Sequence, residues 1–199
     1  MYDRIAGRKN KSVHSGAAFD IPERCFCMSQ PASACASVAL PVDRILRPRS
    51  IVIVGASADP RSFGGFVQGN LDRFGYDGAL HLVSRSSDEI NGRPCVKTVD
   101  ELPDGIDLAV LAIPESGVLD TVKALAARRC KAAVLFASGY AEAGEEGQRK
   151  QAELARVAQA SGILLVGPNC MGFTNLAAGI PVTFEPLAPR APETRSGVG

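Results

Sequence analysis

At 199 residues the chain suits one domain of ordinary size plus a tail, and leaves no room for two full catalytic domains. Its 22 Lys and Arg against 21 Asp and Glu give a formal net charge of +1, so no bulk field draws it to nucleic acid or to an anionic membrane, and any anion site must be local. No apolar run approaches the roughly 20 residues that span a bilayer. The six cysteines, Cys25, Cys27, Cys35, Cys95, Cys130 and Cys170, show neither paired CxxC spacing nor the density of a disulfide scaffold, which suits reduced thiols in a soluble, cytoplasmic protein. Cys25 and Cys27 form a lone CxC, and with only His14 and His81 in the chain a second ligand pair is hard to find, so no metal site is expected.

Residues 1 to about 41 show no sustained hydrophobic period and mix Lys, Arg, Ser, Ala and Pro, the composition of a disordered extension. The stretch lacks the apolar core of a secretory signal, and Asp3, Asp20 and Glu23 set it apart from an acid-poor transit peptide. On composition Met28 reads as an alternative translation start, which would leave residues 1–27 outside the protein. From Val42 onward, short β-branched runs alternate with helix-length amphipathic segments, which predicts an α/β fold around a parallel sheet. The expected strands are 50–54, 79–83, 107–113, 132–137 and 163–166, each short and apolar as strands covered on both faces should be. Helices are expected at 65–74, 115–129 and 145–161. In the second, Val118, Val122, Leu125 and Ala126 recur three or four apart, while Lys123, Arg128 and Arg129 load positive charge toward its C-terminus. Residues 91–104 carry Gly-Arg-Pro and Leu-Pro-Asp turn signals and are expected to hold a single helical turn. Right-handed crossovers then give a Rossmann-like, doubly wound parallel sheet of about five strands in the order 3-2-1-4-5. The segment from Gly167 to Gly199 is rich in Pro and Gly and reads as a linker. The domain is placed at 42–187, with 188–199 as a linker to a missing downstream domain.

Open α/β sheets bind ligands at the carboxyl ends of their strands, where the crossover direction reverses. The loop after the first strand reads Gly55-Ala56-Ser57-Ala58-Asp59-Pro60-Arg61-Ser62-Phe63-Gly64-Gly65 and runs straight from an Ile-Val-Ile-Val strand into a helix. Glycines without Cβ let backbone amides approach a phosphate, and a helix N-terminus adds free N–H groups and the positive end of its dipole. Ser57 and Ser62 offer further hydroxyl donors. In the plainer alternative, Gly55 only turns the chain and Gly64 and Gly65 only pack the helix on the sheet; the coincidence of strand, glycine-rich turn and helix start favours a phosphate site. The spacing is not G-x-G-x-x-G, so the standard dinucleotide fingerprint is absent.

After the second strand, Ser84-Arg85 stands where an NAD-binding domain carries an acidic side chain for the ribose hydroxyls. A hydroxyl beside a guanidinium suits a phosphorylated ribose, either the 2′-phosphate of NADP or the 3′-phosphate of coenzyme A, against the alternative of a solvated surface arginine. Three later loops complete the rim: Ile113-Pro114-Glu115, the loop of Ser138 and Gly139, and Gly167-Pro-Asn169-Cys170-Met-Gly. Asn169 either hydrogen-bonds a ligand amide or caps its own turn. Cys170 has no identifiable base nearby and reads as a buried thiol rather than a nucleophile.

Four segments in order, Gly55-Ala-Ser with Gly64, Ile106-Asp-Leu-Ala-Val with Ile113-Pro114, Ser138-Gly-Tyr-Ala-Glu-Ala-Gly and Gly167-Pro-Asn-Cys-Met-Gly-Phe-Thr-Asn, resemble the coenzyme A-binding domain of NDP-forming acyl-CoA synthetases. ADP-forming acetate-CoA ligases belong there, and succinyl-CoA synthetase α subunits are more distant relatives. The resemblance covers residues 42–187. It implies a domain that binds coenzyme A within an acid-CoA ligase, where ATP or another NTP drives thioester formation through a phosphohistidine. It places Gly55, Ser57 and Gly64 around the phosphates and Asn169 at the crevice; with Ala56, Ser62, Gly65, Ser84, Arg85, Ile113, Pro114, Ser138 and Gly139 these form the expected coenzyme-binding set. The family usually has Asn-Pro where this chain has Ser84-Arg85.

No catalytic residue is expected here, because the phosphohistidine and ATP-grasp domains of the family would lie downstream, in the same chain or a separate subunit. His14 falls in the tail and His81 inside a strand. Ser196-Gly-Val-Gly resembles the start of that next domain, so the chain reads as a fragment, inactive alone. Two other readings are an NADP-binding oxidoreductase domain and a coenzyme A-sensing domain fused to an acetyltransferase. The carboxylic acid is not legible, since the acyl site is expected to be formed largely by what is missing.

Overall fold

The computed structural model describes residues 41–188. The expected N-terminal extension, apart from Pro41, and the end of the expected linker lie outside them. The chain enters through a short helix α1 (Pro41–Leu46) and then runs β1 (Ser50–Val54), α2 (Phe63–Arg73), β2 (Ala79–Val83), β3 (Glu89–Ile90), β4 (Arg93–Val96) and β5 (Leu108–Leu111). There follow α3 (Val118–Ala127), β6 (Ala132–Leu135), α4 (Glu145–Ser161), β7 (Leu164–Val166) and a hairpin of β8 (Gly172–Asn175) and β9 (Ile180–Thr183).

Seven strands form the main sheet in the order β3-β4-β2-β1-β5-β6-β7, parallel except for the two-residue β3. The α/β class, the parallel sheet and the alternation of strand and helix match the sequence. The order 3-2-1-4-5 does not. The segment expected as strand three is β5, which pairs with β1 rather than lying beyond β2. The place beyond β2 is taken by β4, in a stretch read as turns. Only four residues long and interrupted by Pro94, β4 offers neither alternation nor a β-branched run, and proline is tolerated because the strand lies near the sheet edge. The predicted helical turn does occur, at Val99–Glu101.

Side chains along each strand alternate between two apolar layers, because successive Cβ atoms point to opposite faces. Val52, Leu111 and Leu135 pack with Val118, Val122 and Leu125 of α3 and Leu154 of α4, all buried. Ile51, Ile53, Val110 and Val134 pack with Val67 and Leu71 of α2 and with Ile180 and Val182 of β9. The β8-β9 hairpin therefore covers sheet and helix where the sequence suggested linker; its Gly172 and Pro181 masked a short strand pair.

Two polar clamps fix this frame. At the amino ends of the strands, Asp107 accepts from the amides of Arg49 (2.9 Å) and Ser50 (3.2 Å) and from Lys131 Nζ (2.6 Å), while its own amide donates to Ser50 Oγ (2.9 Å). Burial pushes the Asp107 carboxyl up, but the Lys131 hydrogen bond and the two amides outweigh it and hold the group below the usual carboxylate range. On α2, buried Asn70 donates through Nδ2 to the carbonyls of Thr183 (2.9 Å) and Glu185 (2.7 Å) and accepts through Oδ1 from the Leu187 amide (3.3 Å) and Arg73 (3.1 Å). No helix among the described residues is long and apolar enough to cross a membrane.

Candidate functional site

The turn from β1 to α2 is shaped by close backbone approach. Gly55 has φ +89°, and a Cβ there would lie 2.3 Å from the Ala112 carbonyl oxygen at the end of β5. A Cβ on Gly64 would lie 2.4 Å from Gly55 O, and one on Gly65 would lie 2.1 Å from Asp59 O. These three glycines thus have the packing role that the sequence left open, and that role brings the start of α2 up against the strand ends. Gly55 and Ala56 donate their amides to Val83 O at 3.1 and 3.0 Å, which ties the turn to β2 and engages both amides within the chain.

Ser62 is the N-cap of α2: its Oγ accepts from the Gly65 amide (3.0 Å) and donates to Asp59 O (2.7 Å), so its hydroxyl hydrogen is already engaged. Ser57 Oγ accepts from the Asp59 amide (3.1 Å), which leaves its hydrogen to donate elsewhere. Among the described residues, the amides of Ser57, Ala58, Phe63 and Gly64 have no acceptor in the chain. The one carboxylate of the turn, Asp59, is directed back at the Arg61 amide (2.9 Å) and the Arg61 guanidinium (3.5 Å). Free amides at a helix start, a spare hydroxyl and a neutralised carboxylate fit an anionic diphosphate.

Beside this turn, the ends of β5, β6 and β7 open into a cleft of about 540 Å³. Of the expected residues, Ile113, Pro114, Ser138 and Asn169 line it together. Asn169 has φ +52° and donates its amide to Ala137 O (2.9 Å); its side chain makes no hydrogen bond among the described residues and stands exposed at the rim. Cys170 is half-buried rather than buried, with Sγ 3.4 Å from Leu135 O. Glu115 pairs with Lys150 at 3.2 Å. Gly139 is not part of the lining: its amide donates to Glu142 Oε1 (2.7 Å), and this carboxyl is held below its usual range by its own amide and those of Gly139 and Tyr140. Burial, then the charges of Glu115 and Glu142, push the neighbouring Tyr140 hydroxyl up to about 12. Ser84 and Arg85 also lie outside this cleft, after β2; Ser84 is buried with its amide on Val96 O (3.0 Å), and Arg85 is exposed and forms no ion pair among the described residues.

The sequence reading missed one part of the cleft. Phe63, Phe136 and Phe184 meet there: Phe63 stacks on Phe184 with centroids 4.5 Å apart and planes at 24°, and Phe136 meets both edge-on, at 6.0 and 5.0 Å. Phe63 and Phe136 stood in segments already singled out, but Phe184 arrives through the hairpin and the Asn70 clamp, which no local pattern announces. His81, in β2, is half-buried, its imidazole pKa lowered by burial, and it lines a separate cleft of about 370 Å³ with Tyr76 and Arg93.

A family comparison matches residues 49–175 to the CoA binding domain, from the last residue before β1 through β8. The chain belongs to the CoA binding domain family. It is 44% identical over 143 residues to a trans-feruloyl-CoA synthase, FCS1, from an unknown prokaryotic organism, a match covering 72% of this chain and 20% of that protein. It is 34% identical over 147 residues to the α subunit of the ADP-forming acetate-CoA ligase II of Pyrococcus furiosus, covering 74% of this chain and 32% of that one. Among solved structures, the dinucleotide-forming acetyl-coenzyme A synthetase 1 of Ca. Korarchaeum cryptofilum, in complex with phosphate and ADP, superposes with a TM-score of 0.69 at 32% identity, over 73% of this chain and 31% of that chain. The chain thus spans between about a fifth and a third of the length of these relatives.

Proposed function

We propose that this chain is the coenzyme A-binding domain of an ADP- or other NDP-forming acid-CoA ligase, with the diphosphate held at the β1–α2 turn. The observation that carries this reading is the set of unengaged donors at one place: the amides of Ser57, Ala58, Phe63 and Gly64 and the Ser57 hydroxyl, at the N-terminus of α2. Gly55, Ala56, Ser62 and Gly65 hold that arrangement rather than touch the ligand. The 3′-phosphate lies toward Ser84 and Arg85, where the exposed guanidinium is free to form a charge-assisted pair. The other arm of the coenzyme leaves across Ile113 and Pro114 toward Ser138 and Asn169, while Gly139 shapes the loop behind them.

In this reading residues 42–187 form the binding unit, residues 1–41 are a dispensable extension, and 188–199 lead into phosphohistidine and ATP-grasp domains, in the same chain or as a separate subunit. ATP or another NTP acts only in that complete, cytoplasmic enzyme. The assignment of Arg85 is tested by titrating the wild-type chain and Arg85→Ala with coenzyme A and with dephospho-coenzyme A. A charge-assisted contact of about 1.5–3 kcal/mol corresponds to a loss of about tenfold or more for coenzyme A alone. Equal losses for the two ligands would remove Arg85 from the site.

A further inference from the structure

The segment that follows β9 is tied along α2 from its first residue to its last turn. We infer that residues 183–187 form a strap that couples coenzyme occupancy at the start of α2 to the course of the chain at Leu187, where it leaves the domain. The inference rests on the proposed placement of the diphosphate at the β1–α2 turn.

One attachment of the strap is aromatic. Phe63 is the first residue of α2, and its amide is among the unengaged donors of the turn. Its ring stacks on Phe184 with centroids 4.5 Å apart, and Phe136 meets both rings edge-on. The residue whose N–H is offered to the ligand is thus the residue on which the strap rests. The other attachment is polar. Asn70 Nδ2 holds the carbonyls on either side of Phe184, at Thr183 and Glu185, while Asn70 Oδ1 accepts from the Leu187 amide. Arg73, in the last turn of α2, donates through Nη1 to Leu187 O (2.6 Å) and to Asn70 Oδ1 (3.1 Å).

These bonds stand or fall together. Asn70 is 1% exposed and shares in all of them except the one from Arg73 to Leu187 O, so a strap that lifts from it leaves a buried amide without partners. The segment therefore closes or opens as a unit. Its own amides are held only by side chains: Glu185 donates to Thr183 Oγ1 (3.2 Å) and Leu187 to Asn70 Oδ1 (3.3 Å). A segment without a backbone ladder opens locally at low free energy. A diphosphate on the Phe63 amide fixes the first turn of α2, and with it the ring on which Phe184 stacks, so the loaded site favours the closed strap. By linkage the closed strap raises the affinity for coenzyme A by the same factor. In the proposed ligase the chain beyond Leu187 leads into the following domains, and the strap gives a loaded domain one set direction of exit.

The test is amide hydrogen exchange read by NMR on the 199-residue chain, with and without saturating coenzyme A, together with calorimetric titration of variants. Exchange at Glu185 and Leu187 is expected to slow about fivefold relative to the amides of the β8–β9 ladder. Arg73 is exposed and lies about 15 Å along the helix axis from Phe63, so it reaches the diphosphate only through the strap. Arg73→Ala should weaken coenzyme A about threefold, and Arg73→Lys, which keeps a donor for Leu187 O, should restore it. Phe184→Leu keeps apolar volume but not the stack; coenzyme A should then bind without slowing the two amides. Coenzyme A that binds the wild-type chain without slowing Glu185 and Leu187, that slows them no more than the ladder, or that binds Arg73→Ala as tightly as wild type, overturns the strap and leaves the coenzyme site standing. Slowing that survives Phe184→Leu overturns it too. Failure of coenzyme A to bind the wild-type chain overturns the reading beneath it as well.

Discussion

The β1–α2 turn and the wall formed by Phe63, Phe136 and Phe184 lie beside the same crevice, but the side-chain bonds that shape the turn stay within one stretch of chain, whereas the wall joins segments far apart in sequence. In the turn, Gly55, Ser57, Ser62, Gly64 and Gly65 lie within eleven consecutive residues, and the side-chain hydrogen bonds of Ser57 and Ser62 stay within that stretch. In the wall, Phe63 and Phe184 are brought together by Asn70, which reaches a carbonyl 113 positions away. Local construction leaves the turn no slack, since each glycine meets backbone rather than a flexible side chain. Long-range construction makes the wall dependent on one polar clamp.

This contrast can be broken most forcefully at Gly55. Gly55→Val adds a Cβ 2.3 Å from a backbone oxygen at φ +89°, and chemical denaturation should show a loss of about 4 kcal/mol or more, with coenzyme A binding abolished. A fully stable Gly55→Val would mean that the turn is far looser than its geometry. Asn70→Ala strands the carbonyls of Thr183 and Glu185, at a cost of about 2–3 kcal/mol. Hydrogen exchange should quicken in the hairpin and up to Leu187 while β1 stays protected. Uniform exchange in both regions would show that the wall is not separately hinged.

Smaller effects are expected away from the crevice, where they serve as controls. Asp107→Asn weakens the clamp at the opposite end of the sheet, at a cost of about 1–2 kcal/mol at neutral pH, moderated because Lys131 is 41% exposed. The Asp107 carboxyl is held below its ordinary value, so its contribution is complete above about pH 4 and is lost as the pH falls through the lowered folded value. Acid melting of wild type should carry that dependence and Asp107→Asn should lack it; identical pH profiles would contradict the clamp. Last, the side chain of Gln68 on α2 is buried, with neither amide atom hydrogen-bonded among the described residues. Gln68→Met should be neutral or stabilising by up to about 1 kcal/mol, whereas clear destabilisation would reveal a partner for that amide.

What could be read in advance follows the same division. The strand Ser50–Val54, its glycine turn and the helix Glu145–Ser161 announce themselves through contiguous periodicity and turn chemistry, and all lie where the sequence put them. That Ile113, Pro114, Ser138 and Asn169 line one cleft was legible because the ends of neighbouring parallel strands lie side by side. Asp107, part of a motif that pointed to function, proved to be a strut at the far end of the strands, since a motif records position in a chain and not position in space. The β4 strand was hidden by Pro94, the hairpin by its glycines and Pro181, and Phe184 by the distance its contacts span.

The central claim is that the donors at the start of α2 hold coenzyme A. Its most direct test is a calorimetric comparison of coenzyme A, NADP and NAD on the wild-type chain, with Gly64→Ala, whose Cβ would lie 2.4 Å from Gly55 O, as the variant that disturbs those donors. The account predicts that coenzyme A binds most tightly and that Gly64→Ala weakens it by about tenfold or more. Tighter binding of NADP, or undiminished coenzyme A binding in the variant, would contradict it.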